Sequence, residues 1–251
     1  MSGSILYCGD TSLGSAAAYL AGLLTVCDCD FDYFRSDQSL STADVQGRSL
    51  IILSDFPSSR MGAEVQSALL DAVSAGSGLL MIGGWESFHG VGGDWDATAV
   101  ADVLPVVIEK TDDRMNCDHP VMVRQVSQHA AVDGLPWEVR PPVVGGFNRF
   151  QPKPTATVVL EADRLRSRYM KDEWCVELIE SHPLLVMNND DAIRTAALAT
   201  DAAPHWVGGF VDWGDGRVCA KASGADAVEF GDLYARFWQQ LISYLSRQPI
   251  S

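Results

Sequence analysis

The chain has 251 residues, of which 47% are apolar and 20% are charged, and its formal net charge is −15. This composition excludes intrinsic disorder and fibrous repeats, which have fewer apolar residues or a strict period. The acidic excess also argues against nucleic acid or an anionic membrane as a partner, since phosphate binding needs clustered Lys and Arg. A chain of this length can form one large α/β unit, and we expect a single domain over residues 1–251.

Several absences in the sequence are typical of a cytoplasmic protein. No stretch approaches the ~20 consecutive apolar residues that cross a bilayer, and the first ten residues lack the pattern of a secretory signal. The six cysteines do not have the spacing of a disulfide framework, so we expect reduced thiols. The close pair Cys27 and Cys29 has no second pair or histidine cluster beside it, which favours burial over zinc binding. We therefore predict a cytoplasmic location, no metal and no cofactor.

The first 110 residues alternate strand and helix patterns. Continuous apolar runs such as Ser49–Leu53 are typical of parallel strands covered on both faces, and apolar residues at helical spacing predict helices. The strands are predicted at residues 5–8, 30–34, 50–53 and 79–82, and the helices at residues 13–25 and 62–75. Strands joined in this way by helical crossovers indicate a doubly wound parallel sheet rather than a barrel.

The second half of the chain has a different pattern. Short strands interrupted by proline are predicted at residues 121–126, 157–161, 184–187 and 195–199, and we expect them to be antiparallel additions at the edge of the sheet. The chain then closes with a helix in which apolar residues from Phe230 to Leu245 recur at i, i+3, i+4 and i+7. Such a stripe indicates a face that packs on the core.

Candidate functional residues follow the predicted parallel strands. In open parallel sheets, ligands bind beyond the carboxyl ends of the strands. Those ends are followed by residues 9–11, 54–56 and 83–90, and the last segment begins with two glycines that allow a sharp turn. We predict that this turn has the geometry of a nucleophile elbow, with Trp85, Glu86 and Ser87 at its apex.

A working acyl-transfer nucleophile is not predicted on this elbow. Such a nucleophile is Ser or Cys flanked by small residues, because the turn is tight. Ser87 stands beside Phe88, and no cysteine occurs between Cys29 and Cys117.

The chain resembles the glutamine amidotransferase-like family, whose relatives include the trehalose-utilisation (ThuA-like) proteins of the class I glutamine amidotransferase superfamily. The resemblance extends over nearly the whole chain. The segments that carry it are Ile51–Asp55, Leu80–Phe88, Val100–Pro105, His129–Pro136, His182–Val186, Arg194–Asp201, Ala203–Trp206 and the closing helix. It implies a flavodoxin-like three-layer αβα sandwich with a mostly parallel sheet, in agreement with the strand and helix pattern.

The departures from that family bear on activity. Class I glutaminases carry a cysteine on the elbow and, later in the chain, a histidine followed two residues on by glutamate. Here the elbow has Trp85-Glu86-Ser87, and His205 is followed by Trp206 and Val207. The resemblance therefore implies the fold of a glutaminase without its thioester chemistry.

Nine residues are candidates for the site. We assign catalytic roles to Glu86, Ser87 and His205, and ligand-binding roles to Asp10, Asp55, Gly84, Trp85, His89 and Trp206. Each has a structural alternative: His205 as a hydrogen-bonded histidine, Glu86 as a solvated carboxylate, the two aspartates as helix caps and the tryptophans as core anchors. A metal site from Glu86, His89, Asp94 and Asp96 matches no zinc spacing.

These patterns support a glutamine amidotransferase-like protein that lacks the elbow cysteine and binds a small polar ligand, with carbohydrate derivatives as one candidate class. Two alternatives stay open. One is a hydrolase or isomerase in which Glu86 and His205 face one shared cleft as acid and base. The other is a non-catalytic assembly subunit, which fits a homo-oligomer.

Overall fold

A computed structural model describes residues 4–249. The predicted domain over residues 1–251 can therefore be compared with the structure except at residues 1–3 and 250–251. A nine-stranded sheet has the order β2-β1-β3-β4-β11-β10-β9-β6-β7. Its strands are β1 Ile5–Gly9, β2 Phe31–Phe34, β3 Leu50–Ser54, β4 Gly78–Ile82, β6 Arg114–Gln125, β7 Val143–Asn148, β9 Ala156–Met170, β10 Glu173–Asn188 and β11 Thr195–Leu198. Two small antiparallel pairs complete the strands, β5 Val106–Ile108 with β8 Phe150–Pro152 and β12 Arg217–Ala220 with β13 Val228–Gly231.

The described residues also form six α-helices. They are α1 Ala17–Val26, α2 Thr42–Val45, α3 Ala63–Ser74, α4 Val100–Val103, α5 Pro204–Val207 and α6 Asp232–Ser246. The crossover through α1 leads from β1 toward one edge of the sheet, and the crossover through α3 leads from β3 in the opposite direction. Right-handed crossovers therefore place α1 and α3 on opposite faces, while α6 contacts α1, β3 and β4. The flavodoxin-like three-layer αβα sandwich is thus confirmed, and its parallel strands form the core of a large mixed sheet.

The parallel strands lie where the sequence predicts them. β1 pairs in parallel with β2 and β3, and β3 pairs in parallel with β4. Every residue of β1, β3 and β4 is buried, which explains why these segments read as continuous apolar runs. The closing helix is confirmed as a core element, although it begins at Asp232 and Phe230 belongs to β13.

The other half of the sheet is antiparallel, as predicted, except for one strand. The expectation that Thr195–Ala199 is an antiparallel edge addition is wrong. β11 pairs in parallel with β4 and antiparallel with β10, so it joins the two halves in the middle of the sheet. The remaining strands β10, β9, β6 and β7 are antiparallel neighbours, and β9 and β10 are far longer than their predicted apolar cores.

The strand order also fixes where a ligand can enter. The chain leaves β1 toward β2 on one side and leaves β3 toward β4 on the other, so the order reverses between β1 and β3. In doubly wound sheets, ligands bind outside the carboxyl ends of the strands at this switch point. Within residues 4–249, no helix is long and apolar enough to cross a membrane.

Candidate functional site

A cavity of about 310 Å³ lies at the switch point, beyond the carboxyl ends of β1, β3 and β4. We call it the strand-end pocket. Its lining combines three carboxylates, two hydroxyl side chains and two apolar side chains: Asp10, Asp55, Glu86, Thr11, Ser36, Trp85 and Val91. The carboxylates give the pocket a strongly acidic wall.

Asp10 is the first residue after β1, and its backbone turns sharply there with a φ of 43°. Its carboxylate accepts a hydrogen bond of 3.4 Å from the Tyr7 hydroxyl, and its carbonyl accepts one of 2.9 Å from the Tyr33 hydroxyl. The helix-cap alternative does not describe this residue, because α1 begins at Ala17 with Ala16 at its N-cap. The two tyrosine hydroxyls therefore hold Asp10 in position at the pocket.

Asp55 follows β3 in the same way, with a φ of 48°. Its Oδ1 accepts a hydrogen bond of 2.7 Å from the Glu86 N–H, and its own N–H donates to Ser87 Oγ at 2.9 Å. A Cβ at Gly84 would lie 2.2 Å from this carboxylate, so only glycine allows the elbow to approach so closely. The ends of β3 and β4 are thereby joined through one carboxylate.

Burial and mutual repulsion change the protonation of these acids. Burial, followed by the charge of Asp55, raises the pKa of Asp10 to about 7. Burial raises the pKa of Asp55 to about 6, against the lowering effect of the Glu86 and Trp85 N–H groups and of His205. The pKa of Glu86 is also raised by burial, although Arg60 opposes this. At neutral pH the pocket can therefore both donate protons in hydrogen bonds and accept them.

A fourth carboxylate, Asp201, lies behind the pocket after β11. It is buried, and its Oδ1 accepts hydrogen bonds from the Ala202 and Ala203 N–H groups at 2.5 and 3.1 Å. Burial and the charges of Asp55 and Asp10 raise its pKa well above the ordinary value. The charges of the two pocket aspartates, which follow β1 and β3, thus extend to a third aspartate that follows β11.

Asn148, the last residue of β7, holds the elbow after β4 in position through hydrogen bonds. The buried Asn148 accepts a hydrogen bond of 2.9 Å from the Gly84 N–H, and it donates from Nδ2 to the Gly84 carbonyl at 3.1 Å and to Asp113 Oδ1 at 2.8 Å. The buried Asp113 carboxylate also accepts from the N–H groups of His89 and Gly90. Two polar side chains thereby fix both ends of the elbow, and we call this pair the Asn148–Asp113 clamp.

The three residues assigned catalytic roles occupy different positions. Glu86 lines the pocket, whereas Ser87 is buried with its hydroxyl on the Asp55 N–H, a position that holds the turn. His205 is exposed at the start of α5, and its ring centroid lies 6.3 Å from that of Trp85. Glu86 and His205 both act electrostatically on Asp55.

The assigned ligand-binding residues also divide into two groups. Asp10, Asp55 and Trp85 line the pocket, and Gly84 contacts Asp55. The other two lie outside its lining. The His89 ring pairs with Asp96 at 2.8 Å, while Trp206 is buried and donates from Nε1 to Asn116 Oδ1 at 2.7 Å.

Trp85 is the aromatic part of the pocket and is 48% exposed. The Arg114 guanidinium stacks over its ring at 4.4 Å from the centroid, and Arg114 is itself paired with Asp112. The indole therefore has a fixed orientation and still offers surface to a ligand.

Sequence reasoning missed Asp201, Asn148 and Asp113 as parts of the site. Asp201 follows a strand, which is a signal that could have found it. Asn148 and Asp113 reach the elbow only through the pairing of distant strands. Among the described residues, no three His, Cys, Asp or Glu side chains are arranged to hold a metal ion.

Comparison with known proteins identifies the family of the chain. A family model described as "Putative glutamine amidotransferase", here the GATase1-like family, matches residues 40–222. The chain belongs to this family. The match includes the ends of β3, β4 and β11, which supply Asp55, the elbow and Asp201. Among curated proteins, none matches the chain.

Solved structures support the same GATase1-like fold. A cytoplasmic protein from Salmonella typhimurium is 22% identical with a TM-score of 0.72, over 96% of this chain and 98% of that protein. A second cytoplasmic protein, from Salmonella typhimurium LT2, has the same identity and TM-score over 96% and 99% of the two chains. A ThuA-like protein from Bacteroides uniformis is 15% identical with a TM-score of 0.48, over 84% of each chain. At 22% identity, the likeness to the two Salmonella typhimurium proteins shows the fold alone.

Proposed function

We propose that this GATase1-like chain binds a small ligand rich in hydroxyl groups, of the carbohydrate type, in the strand-end pocket and does not hydrolyse glutamine. The observation that carries the proposal is the set of half-buried carboxylates with raised pKa values around one cavity. Asp10 and Asp55, with pKa values of about 7 and 6, are partly protonated near neutral pH. Each can then donate to one ligand hydroxyl and accept from another.

Trp85 supports the same class of ligand. Its half-exposed indole, held by Arg114, is a flat apolar surface beside the carboxylates. A sugar ring has an apolar face and a polar rim, so it would stack on the indole and direct its hydroxyls to the carboxylates. An anionic ligand is disfavoured, because Asp10, Asp55 and Glu86 line the same cavity.

The environment of the elbow argues against glutaminase chemistry. Residues 83–90 contain no cysteine, and Ser87 is buried. In an elbow, the N–H of the residue after the nucleophile stabilises the oxyanion. With Trp85 at the apex, that N–H belongs to Glu86, and it donates to the Asp55 carboxylate. An anion of the protein therefore occupies the place where a reaction oxyanion would need to form.

Binding of named sugars tests the proposal. We expect D-glucose or D-glucosamine to give saturation-transfer NMR signals and measurable calorimetric affinity, and D-gluconate to bind more weakly than either. W85A and D55N should each weaken binding at least tenfold, about 1.4 kcal/mol. The matched control D71N removes an exposed carboxylate on α3 and should leave affinity unchanged. Absence of binding by all three probes, or equal binding by W85A, would contradict the proposal.

A second candidate is acid–base catalysis in the same pocket. It is favoured by Asp10 and Asp55 lining one cavity, since the charge of Asp55 raises the pKa of Asp10 and both pKa values lie near neutrality. Glu86 and His205, which both act electrostatically on Asp55, would assist proton transfer. Release of 4-nitrophenol from 4-nitrophenyl glycosides, with a bell-shaped pH profile that D55N abolishes, would support it. No release above the buffer rate would exclude this glycosidase form.

We further propose a cytoplasmic location. The two Salmonella typhimurium proteins with the same fold are described as cytoplasmic, and they cover nearly the whole chain. Fractionation of cells that express the chain without a tag tests this. Recovery in the membrane pellet would contradict it.

A further inference from the structure

Beyond the body of the sheet, β9 and β10 continue as a two-stranded arm, residues 164–180. β9 pairs with β6 only as far as Asp163, and β10 pairs with β11 only over Leu185–Met187. Between themselves, however, β9 and β10 pair all the way to Met170 and Glu173. The turn at Lys171 and Asp172 has positive φ at both residues, 52° and 64°, as tight hairpins do.

The arm is amphipathic. Residues directly opposite each other in an antiparallel pair share a face, and successive residues alternate between faces. One face carries the pairs Leu165–Leu178, Ser167–Val176 and Tyr169–Trp174. The other carries Arg164–Glu180, Arg166–Glu177, Arg168–Cys175 and Met170–Glu173, and an irregularity at Ile179 keeps Glu180 opposite Arg164.

The apolar face is open to solvent. Its five large side chains are between 37% and 70% exposed, with Trp174 the most exposed, and the Tyr169 and Trp174 rings contact each other at 5.2 Å. A solvated strand face is normally polar, and a contiguous exposed apolar face marks a surface for interaction. The pattern runs over the full length of the arm. A partner that covers it must therefore present a surface of similar length and flatness.

The charge of the arm indicates what covers it. Residues 164–180 contain four basic side chains (Arg164, Arg166, Arg168, Lys171) and four acidic ones (Asp172, Glu173, Glu177, Glu180), so the arm is neutral and the rest of the chain carries the whole −15. An anionic lipid surface would repel that body, and a basic partner would gain nothing from a neutral arm. Two neutral arms can meet without like-charge repulsion between them, although the acidic bodies of the two copies repel each other.

We propose that the arms of two copies pack with their apolar faces together, about a two-fold axis, as a two-layer sandwich of four strands. Such a contact is self-complementary, because the same patch serves both copies. An aromatic side chain offers about 150–250 Å². With the exposures above, five large side chains remove on the order of 500 Å² from each copy. The total of about 1,000 Å² lies at the threshold for a biological interface and below the roughly 1,200 Å² at which stable interfaces begin, so the expected dimer is weak.

Oligomeric state and three variants, two in the apolar face and one control, test the proposal. Sedimentation velocity and light scattering over about 1–100 µM should show a dimer with twice the chain mass of 27.1 kDa. V176E places a charge in the apolar face and should weaken dimerisation at least tenfold, and W174K, with the opposite charge, should do the same. C175E is the control. Cys175 stands between the two substituted positions in sequence, but it is exposed on the polar face opposite Arg168. Far-UV circular dichroism of all three variants should match the wild type.

Three results would overturn this dimer. The wild type could sediment as a monomer throughout the range, or C175E could weaken association as much as V176E. Alternatively, the wild type could stay monomeric and co-sediment with phosphatidylcholine vesicles, which would assign the arm to a membrane surface. Sugar binding does not enter this test, so its outcome is independent of the function proposed for the pocket.

Discussion

Asp10 and Asp55 are unfavourable for stability in two ways at once. Both hold a left-handed backbone conformation that costs most residues on the order of 1 kcal/mol, although Asp tolerates it better than bulky residues do. Both also carry carboxylates whose ionisation is opposed by burial and by a neighbouring carboxylate, Asp55 for Asp10 and Glu86 for Asp55. A fold retains such residues where a site needs them, so this cost supports a functional role for the pocket.

The raised pKa of Asp10 makes the free energy of unfolding depend on pH. Because the pKa is about 7 in the folded chain and 3.8 as the ordinary value, the folded state binds more protons between these values. Stability therefore falls as the pH rises from about 4 to about 7. D10N removes this loss and should raise Tm by at least about 3 °C at pH 8, and by much less at pH 5, in calorimetric scans.

The control for D10N is D71N, which removes one negative charge from an exposed position on α3. Asn suits position 10, because it also tolerates positive φ. A gain by D71N equal to that by D10N would assign the effect to net charge. An equal gain by D10N at both pH values would show that Asp10 titrates normally.

Part of the site could be read from single strand ends. Asp10, Asp55, Trp85 and Glu86 each follow a predicted strand, and all four line the pocket. Asn148 could not be found in this way, because it lies 64 residues from Gly84 and acts through the pairing of β7 across the antiparallel half. The burial of Ser87 was also beyond local pattern, since it depends on the N–H of a residue from another strand.

At the scale of elements, the Asn148–Asp113 clamp sets the position of the elbow. N148A would leave the Gly84 N–H and carbonyl and one Asp113 contact without their partner in a buried place. Each unsatisfied buried group costs about 1–3 kcal/mol, so we expect a loss of about 3 kcal/mol in the free energy of unfolding. Urea titration of N148A measures this. N189A, at an exposed asparagine after β10, should lose less than about 0.5 kcal/mol.

The elbow also gives a prediction on catalysis. Purified protein should release no ammonia from glutamine above the blank, because Asp55 occupies the Glu86 N–H and no cysteine stands in residues 83–90. S87A should leave that null result unchanged while lowering Tm, since the Asp55 N–H loses its acceptor. A glutamine-dependent rate that S87A abolishes would contradict this assignment.

The predicted elements succeed where burial is uniform. β1, β3 and β4 are covered on both faces, so their apolar runs identify them without tertiary information. The outer parts of β9 and β10 alternate apolar and charged residues without a core to cover them. The predicted strands therefore include only the buried segments of β9 and β10. β11 was assigned to the wrong position, because its four residues do not reveal that a strand near position 195 enters between β4 and β10.

For the whole molecule, the net charge of −15 acts against compactness. Like charges repel one another across the surface, and salt screens that repulsion over about 10 Å at 0.1 M. We expect Tm to rise by a few degrees when NaCl increases from about 20 mM to about 200 mM, with most of the rise at the low end. Differential scanning fluorimetry at fixed pH measures this. A Tm that falls over the same range would indicate that ion pairs outweigh the repulsion.

The insertion of β11 between β4 and β10 has a consequence during synthesis. The segment from Ile82 to Thr195 must be made before β4 can receive its second neighbour. At about 5–20 residues per second, the apolar edge of β4 stays open for on the order of 6–20 s after it leaves the ribosome. An open edge of this kind invites pairing with other nascent chains, so this architecture favours early protection of residues 78–82 by a chaperone.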